Sequence, residues 1–161
     1  MSPKIHPDPD WGAEVQRGLS RLFVEEGATL VDSTYLKASF GARTATIKVG
    51  NVILKVCRDV MLPSAYIEAR IAPVHAPIKF KSPVSAWQAL ALMAVGTIPP
   101  NPPYEAFGTL QGLATFLGQH FSQLNEAYSP ANYPTVGQKM KEVEEKHWGE
   151  WRLKHPPTNR R

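Results

Sequence analysis

Apolar positions follow two different periods along the chain, and the changes of period mark out the elements. Near the N-terminus Val15, Leu19, Leu22 and Phe23 recur at three- and four-residue spacing, with Glu14, Arg17, Arg21 and Glu25 on the opposite side. That is an amphipathic helix, beginning at Asp8 or Asp10 as N-cap and stopping at Gly27. From about residue 36 the period becomes two. Residues 44–49 and 52–57 flank Gly50-Asn51, a two-residue hairpin turn with glycine first. That turn sets Val49 opposite Val52, Ile47 opposite Leu54 and Ala45 opposite Val56. A turn at Gly41-Ala42 extends the pattern, with Ala38 opposite Ala45 and Leu36 opposite Ile47. On the other side Ile67 meets Val56, Ala69 meets Leu54 and Ile71 meets Val52. All these pairs lie on one apolar face, and a one-residue slip would turn them outward.

The expected fold is therefore α+β: an N-terminal helix and a four-stranded antiparallel meander, with one face covered by three C-terminal helices. The opposite sheet face carries Lys37, Thr44, Thr46, Lys48, Ile53, Lys55, Cys57, Tyr66, Glu68 and Arg70. The same register sets Lys55 across from Glu68 and Cys57 across from Tyr66, as on a solvated face. The helical period returns after Ser82-Pro83. Residues 84–95 are apolar on nearly every side, as in a central helix. Residues 109–128 place Leu110, Leu113, Leu117, Phe121, Leu124 and Tyr128 in line. A last helix over 135–154 has the stripe Val136, Met140, Val143, His147 and Trp151. Residues 1–155 read as a single domain in which the run Pro99-Pro100-Asn101-Pro102-Pro103 is a stiff connector. Residues 156–161 read as a disordered basic tail.

Composition changes this picture little. The 161 residues are 43% hydrophobic and 20% charged, suited to a packed domain without disulfide or metal staples. Charge is more telling. The formal net charge is +4, yet counting to Trp151 gives 14 basic and 14 acidic residues, so the excess lies in Arg152, Lys154, Arg160 and Arg161. A basic end of this kind is more characteristic of a solvated terminus than of a nucleic-acid surface. One cysteine, Cys57, rules out an intramolecular disulfide. The opening residues lack the apolar core of a signal peptide, and the apolar stretch at 86–95 is too short to span a bilayer. A cytoplasmic location without membrane attachment is the expectation.

Phosphate-binding glycine loops, C-x-x-C, H-E-x-x-H, calcium-loop and G-x-S-x-G patterns are absent from the sequence. Glu144 and His147 have the i,i+3 spacing of a di-iron motif, but without a second copy, and His120 adds no placed carboxylate. Cys57 lies mid-strand with no histidine in the strands to serve as base. These patterns imply no cofactor, no metal site and no catalytic residues. Lys48, Lys55, Arg70 and Tyr66 would share an open sheet face of the kind single-strand binders use, but Tyr66 is the lone aromatic there and Glu68 interrupts the charge. Nucleic-acid association through that face and the basic tail is the alternative to protein binding. Trp148 is rotated off the last helix's stripe, and Phe116 is displaced from the Leu113–Leu117–Phe121 line. Each can cap the core, the more common outcome for such a position, or anchor a partner protein. The candidate partner-binding residues are thus Trp148, Phe116, Tyr66, Lys55 and Arg70.

The helix–glycine entry Leu22-Phe23-Val24-Glu25-Glu26-Gly27 and the hairpin running from Ile47 to Asp59 resemble small cytosolic bacterial proteins of the toxin-immunity and uncharacterised α+β kind. The resemblance covers about the first 75 residues and carries no diagnostic motif. It implies a non-enzymatic protein that binds a protein partner stoichiometrically.

Overall fold

A computed structural model describes residues 4–37, 41–59, 66–75 and 109–157. The sequence-predicted helix at 84–95 and the proline connector at 99–103 lie outside the described residues, as do residues 158–161 of the tail. The described chain is α+β, with a five-stranded antiparallel sheet and four helices.

Strand β1 (Ile5–Pro7) leads into helix α1 (Pro9–Gly18), then α2 (Ser20–Glu25). Strands β2 (Thr29–Leu36), β3 (Ala42–Val49), β4 (Val52–Asp59) and β5 (Tyr66–Pro73) follow. Helices α3 (Leu110–Ala127) and α4 (Tyr133–Lys154) complete the described chain. The strands lie in sequence order, β1-β2-β3-β4-β5. The four expected strands are present, and a fifth precedes them. Its single proline, Pro7, suits a short edge strand, where a missing N–H costs nothing. Ile5 pairs with Leu36 and Pro7 with Thr34.

Asp8 caps α1, its Oδ1 accepting from the Trp11 N–H at 3.2 Å, with Pro9 at the first helical position. The expected single helix is broken at Leu19, between Gly18 and Ser20. Both residues are weak helix formers, and the break leaves Leu19 and Leu22 buried together. Gly27 has φ +68 just past α2, as its role as stop requires.

The central hairpin has the expected register: Val49↔Val52, Ile47↔Leu54 and Ala45↔Val56. Its turn needs glycine, because Gly50 has φ +54. The two flanking registers differ from expectation. Leu30 takes the place opposite Ile47, Ser33 stands opposite Ala45, and Leu36 pairs with Ala42. The β2–β3 connection is longer than a two-residue turn, and the register shifts between Leu30 and Asp32, around Val31. Leu36 thereby moves to the outer face. On the other side Val56 pairs with Ala69, Leu54 with Ile71 and Arg58 with Ile67, a displacement of two residues that keeps each side chain on its expected face. Lys55 is therefore opposite Arg70, and Cys57 opposite Glu68, correcting both cross-strand pairs.

The core lies between the inner sheet face and the helices. Ala45, Ile47, Val49, Val52, Leu54, Val56, Ile67, Ala69 and Ile71 are buried there. Trp11, Val15, Leu19 and Leu22 cover them from α1 and α2, and Leu113, Leu117, Phe121 and Leu124 from α3. Helix α1 sits close on β2 at Gly12, where an added Cβ would come within 2.7 Å of Ser33 Oγ and 2.9 Å of Leu30 Cδ2. Tyr133 and Val136 join the first turns of α4 to the core. Among the described residues, no helix is long and apolar enough to cross a membrane.

Candidate partner-binding surface

Helix α4 owes little to the core beyond its start. Between residues 138 and 154 every described side-chain position is exposed except Gly149, which is half-buried. Tyr133 anchors the beginning, its ring 5.2 Å from Tyr128 and 5.8 Å, edge-on, from His75. Burial pushes the Tyr128 phenol well above its ordinary pKa, and Tyr133 shifts the same way.

The far end of α4 carries an aromatic series. Trp148 and Trp151 meet edge-to-face at 5.9 Å, and the His155 ring stacks on Trp151 at 4.6 Å. His155 also ends the helix, its backbone N–H donating to the Trp151 carbonyl at 3.0 Å. Helical spacing of three and four residues brings these rings onto one side. Trp148 is 46% exposed, Trp151 47% and Leu153 83%. Arg152 and Lys154 occupy the last turn, where cations complement the helix dipole. The expectation that Trp151 lies in a buried stripe does not hold. The side chains of Met140, Val143, Glu144 and His147 lie outside the description.

The remaining candidates divide. Phe116 is buried in the core, 8% exposed, and its ring lies 4.9 Å from that of His120. It forms no exposed surface with Trp148. Lys55 and Arg70 are half-buried and directly opposite one another on the outer face. Tyr66 opens β5 opposite Asp59, at a position of the same parity as Arg70, and its side chain is outside the description. Cys57 is half-buried on that face. Among the described residues, no group of three or more His, Cys, Asp or Glu could hold a metal ion.

A second polar cluster escaped the sequence reading. Arg43 and Arg58 stand opposite each other at the open end of the β3–β4 pair, on the inner face. Asp8 Oδ2 lies 3.0 Å from Arg43 Nε, and Arg58 Nη1 lies 3.4 Å from Glu14 Oε1. The Arg58 guanidinium also lies 5.6 Å from the centre of the Trp11 ring. Two like charges side by side would repel, and the carboxylates of the cap residue Asp8 and of Glu14 in α1 turn that repulsion into a clamp between helix and sheet. Trp11 continues the spacing of Val15 and Leu19 backward by four, the signal from which it could have been read.

No family model matches the chain, and neither a curated protein nor a solved structure is similar to it.

Proposed function

We propose that the protein is a non-catalytic binding protein of immunity or adaptor type, which engages a protein partner stoichiometrically in the cytoplasm. The observation that carries this reading is the end of α4, where Trp148, Trp151 and Leu153 are exposed on a helix whose described side chains leave the core after Val136. Exposed tryptophan beside arginine is the composition of an interface anchor. The formal neutrality of the chain up to Trp151 suits recognition without long-range charge steering. One observation favours the alternative, association with nucleic acid: Lys55 and Arg70, both cationic, stand opposite each other on the outer sheet face.

Affinity capture from native lysate tests both, using the full chain, Trp148→Ala and a chain ending at residue 155. A protein retained in stoichiometric amount should be weakened about tenfold or more by Trp148→Ala, as for an interface hot spot. It should be little affected by truncation or by salt. Co-purified nucleic acid, or binding that collapses between low and moderate salt, overturns the reading in favour of the alternative.

A further inference from the structure

We infer that the cleft between α1 and the open edge of β2 receives an extended, cationic peptide segment of a partner protein. This surface is separate from the α4 anchor, and the inference shares with the preceding reading only that the partner is a protein.

Among the described residues the edge is left open by the shortness of β1. β1 covers β2 only from Thr34 to Leu36. The chain then turns into α1, fastened by Asp8 N donating to the Ser33 carbonyl at 2.9 Å and by Ser33 Oγ donating to the Asp8 carbonyl at 2.6 Å. Over residues 29–32 no described strand lies on that edge of β2. Backbone groups at a sheet edge are met in full by another extended chain.

The space beside the edge has a wall. Pro9, Ala13 and Gln16 of α1 face Leu30, Val31 and Asp32 of β2 across a cleft of about 530 Å³. Gly12 lets the helix sit close to the strand and so sets the depth of the cleft. A strand edge walled by a helix holds one extended chain, with backbone on the strand and alternate side chains in the cleft. Four residues of β2 span about 13 Å, enough for a short segment. The irregularity around Val31 and the overhanging helix disfavour the flat edge of a second folded sheet.

Charge and apolarity select the segment. Val31 is 60% exposed and offers an apolar contact. The ionisable residues lining the cleft are Asp8 and Asp32, both acidic. Asp8 is committed to Arg43, which leaves Asp32 to meet a lysine or arginine.

Amide-shift titration of the full-length ¹⁵N-labelled chain with blocked Lys-Val-Thr-Val-Lys peptide is the test. Controls are the Glu-Val-Thr-Val-Glu peptide and a Lys-Pro-Thr-Pro-Lys peptide, whose prolines remove two N–H donors. Saturable shifts should centre on residues 29–33 and on Ala13 and Gln16, be weaker with the acidic peptide and vanish with the proline peptide. Ala13→Trp should block binding by filling the cleft, and the exposed change Asp32→Lys should weaken it about two- to tenfold. Trp148→Ala should leave it unchanged. Absence of saturable shifts, shifts confined to other elements, or equal binding of the acidic peptide would overturn the assignment. So would concentration-dependent shifts at these amides without peptide, which would mean that a second copy fills the edge. Failure here with Trp148-dependent capture intact would remove this cleft and leave the α4 anchor standing.

Discussion

Trp11 concentrates several forces in one side chain. It is fully buried, packs in the core with Val15, and lies beneath Arg58. Its indole Nε1 finds no acceptor among the described residues, so its burial carries a polar penalty. Trp11→Ala should therefore cost about 3–5 kcal/mol, as for other large core truncations. Trp11→Phe should cost roughly half of that or less, because it removes the unsatisfied N–H while keeping much of the apolar volume. Urea unfolding of the two variants checks the order, and equal losses would mean that the indole N–H is satisfied. Tyr128 makes a prediction in pH. Its folded-state pKa is raised by burial above an unfolded value of about 10. The unfolded chain therefore ionises first, so stability is intact below pH 10 and falls as pH rises above it, by up to about 1.4 kcal/mol per pH unit. Urea midpoints between pH 8 and 11.5 should show a shallower alkaline decline in Tyr128→Phe, with the half-buried Tyr133 supplying a smaller share of the remainder.

At the scale of elements, the β3–β4 turn is locked to α3. Asn51 N donates to Asn125 Oδ1 at 2.8 Å, and Asn51 Nδ2 donates to the Asn125 carbonyl at 3.0 Å. A Cβ at Gly50 would run into the Asn125 side-chain amide. Asn125→Ala should cost about 1–3 kcal/mol, since it strands a backbone N–H. Gly50→Ala should cost about 1–2 kcal/mol from the left-handed backbone alone, and more from the clash. Because the clash needs Asn125, the double variant should be less unstable than the sum of the singles by at least about 0.5 kcal/mol. Strict additivity would mean that the turn and α3 do not meet. This hairpin was legible in the sequence because a two-residue turn leaves its register no freedom. The strands beside it were less so. Alternation reports only which face a residue occupies, so the two-residue displacement of β5 was invisible to it: Ala69 and Ile71 point inward in either register. In β2 the irregularity around Val31 reverses parity partway along, bringing Leu30 inward and sending Leu36 outward. The Arg43–Asp8 and Arg58–Glu14 clamps depend on which loop ends meet, which no local period encodes. Trp148 and Phe116 looked alike on a helical wheel, each displaced from its helix's apolar line; Phe116 is buried because α3 is covered over a wider arc, whereas Trp148 is exposed together with Trp151 of the stripe itself.

For the whole molecule, stability should divide unevenly along the chain. β3 and β4 are paired on both edges, buried on the inner face and fastened by α1 and α3, so their amides should exchange only through global opening. The outer half of α4 has other support. Past Val136 its described side chains are exposed, and it makes contacts of the kind a single helix makes with itself, among them the Gln138–Glu142 hydrogen bond at 3.0 Å and the ring series from Trp148 to His155. Pairs of this sort add about 0.2–0.5 kcal/mol each, and an isolated helix of such length is marginal in water. Amides of residues 145–154 should therefore exchange orders of magnitude faster than those of Leu113 to Leu124 in α3, at any condition where the fold is intact. Ending the chain at residue 155 should leave the melting temperature unchanged, because Pro156 and Pro157 are exposed. Native-state hydrogen exchange by mass spectrometry resolves both segments in one experiment. Equal protection of α4 and α3 in the isolated chain would mean that the aromatic end of α4 is already covered within the molecule, and an anchor held that way could not meet a partner without first being released.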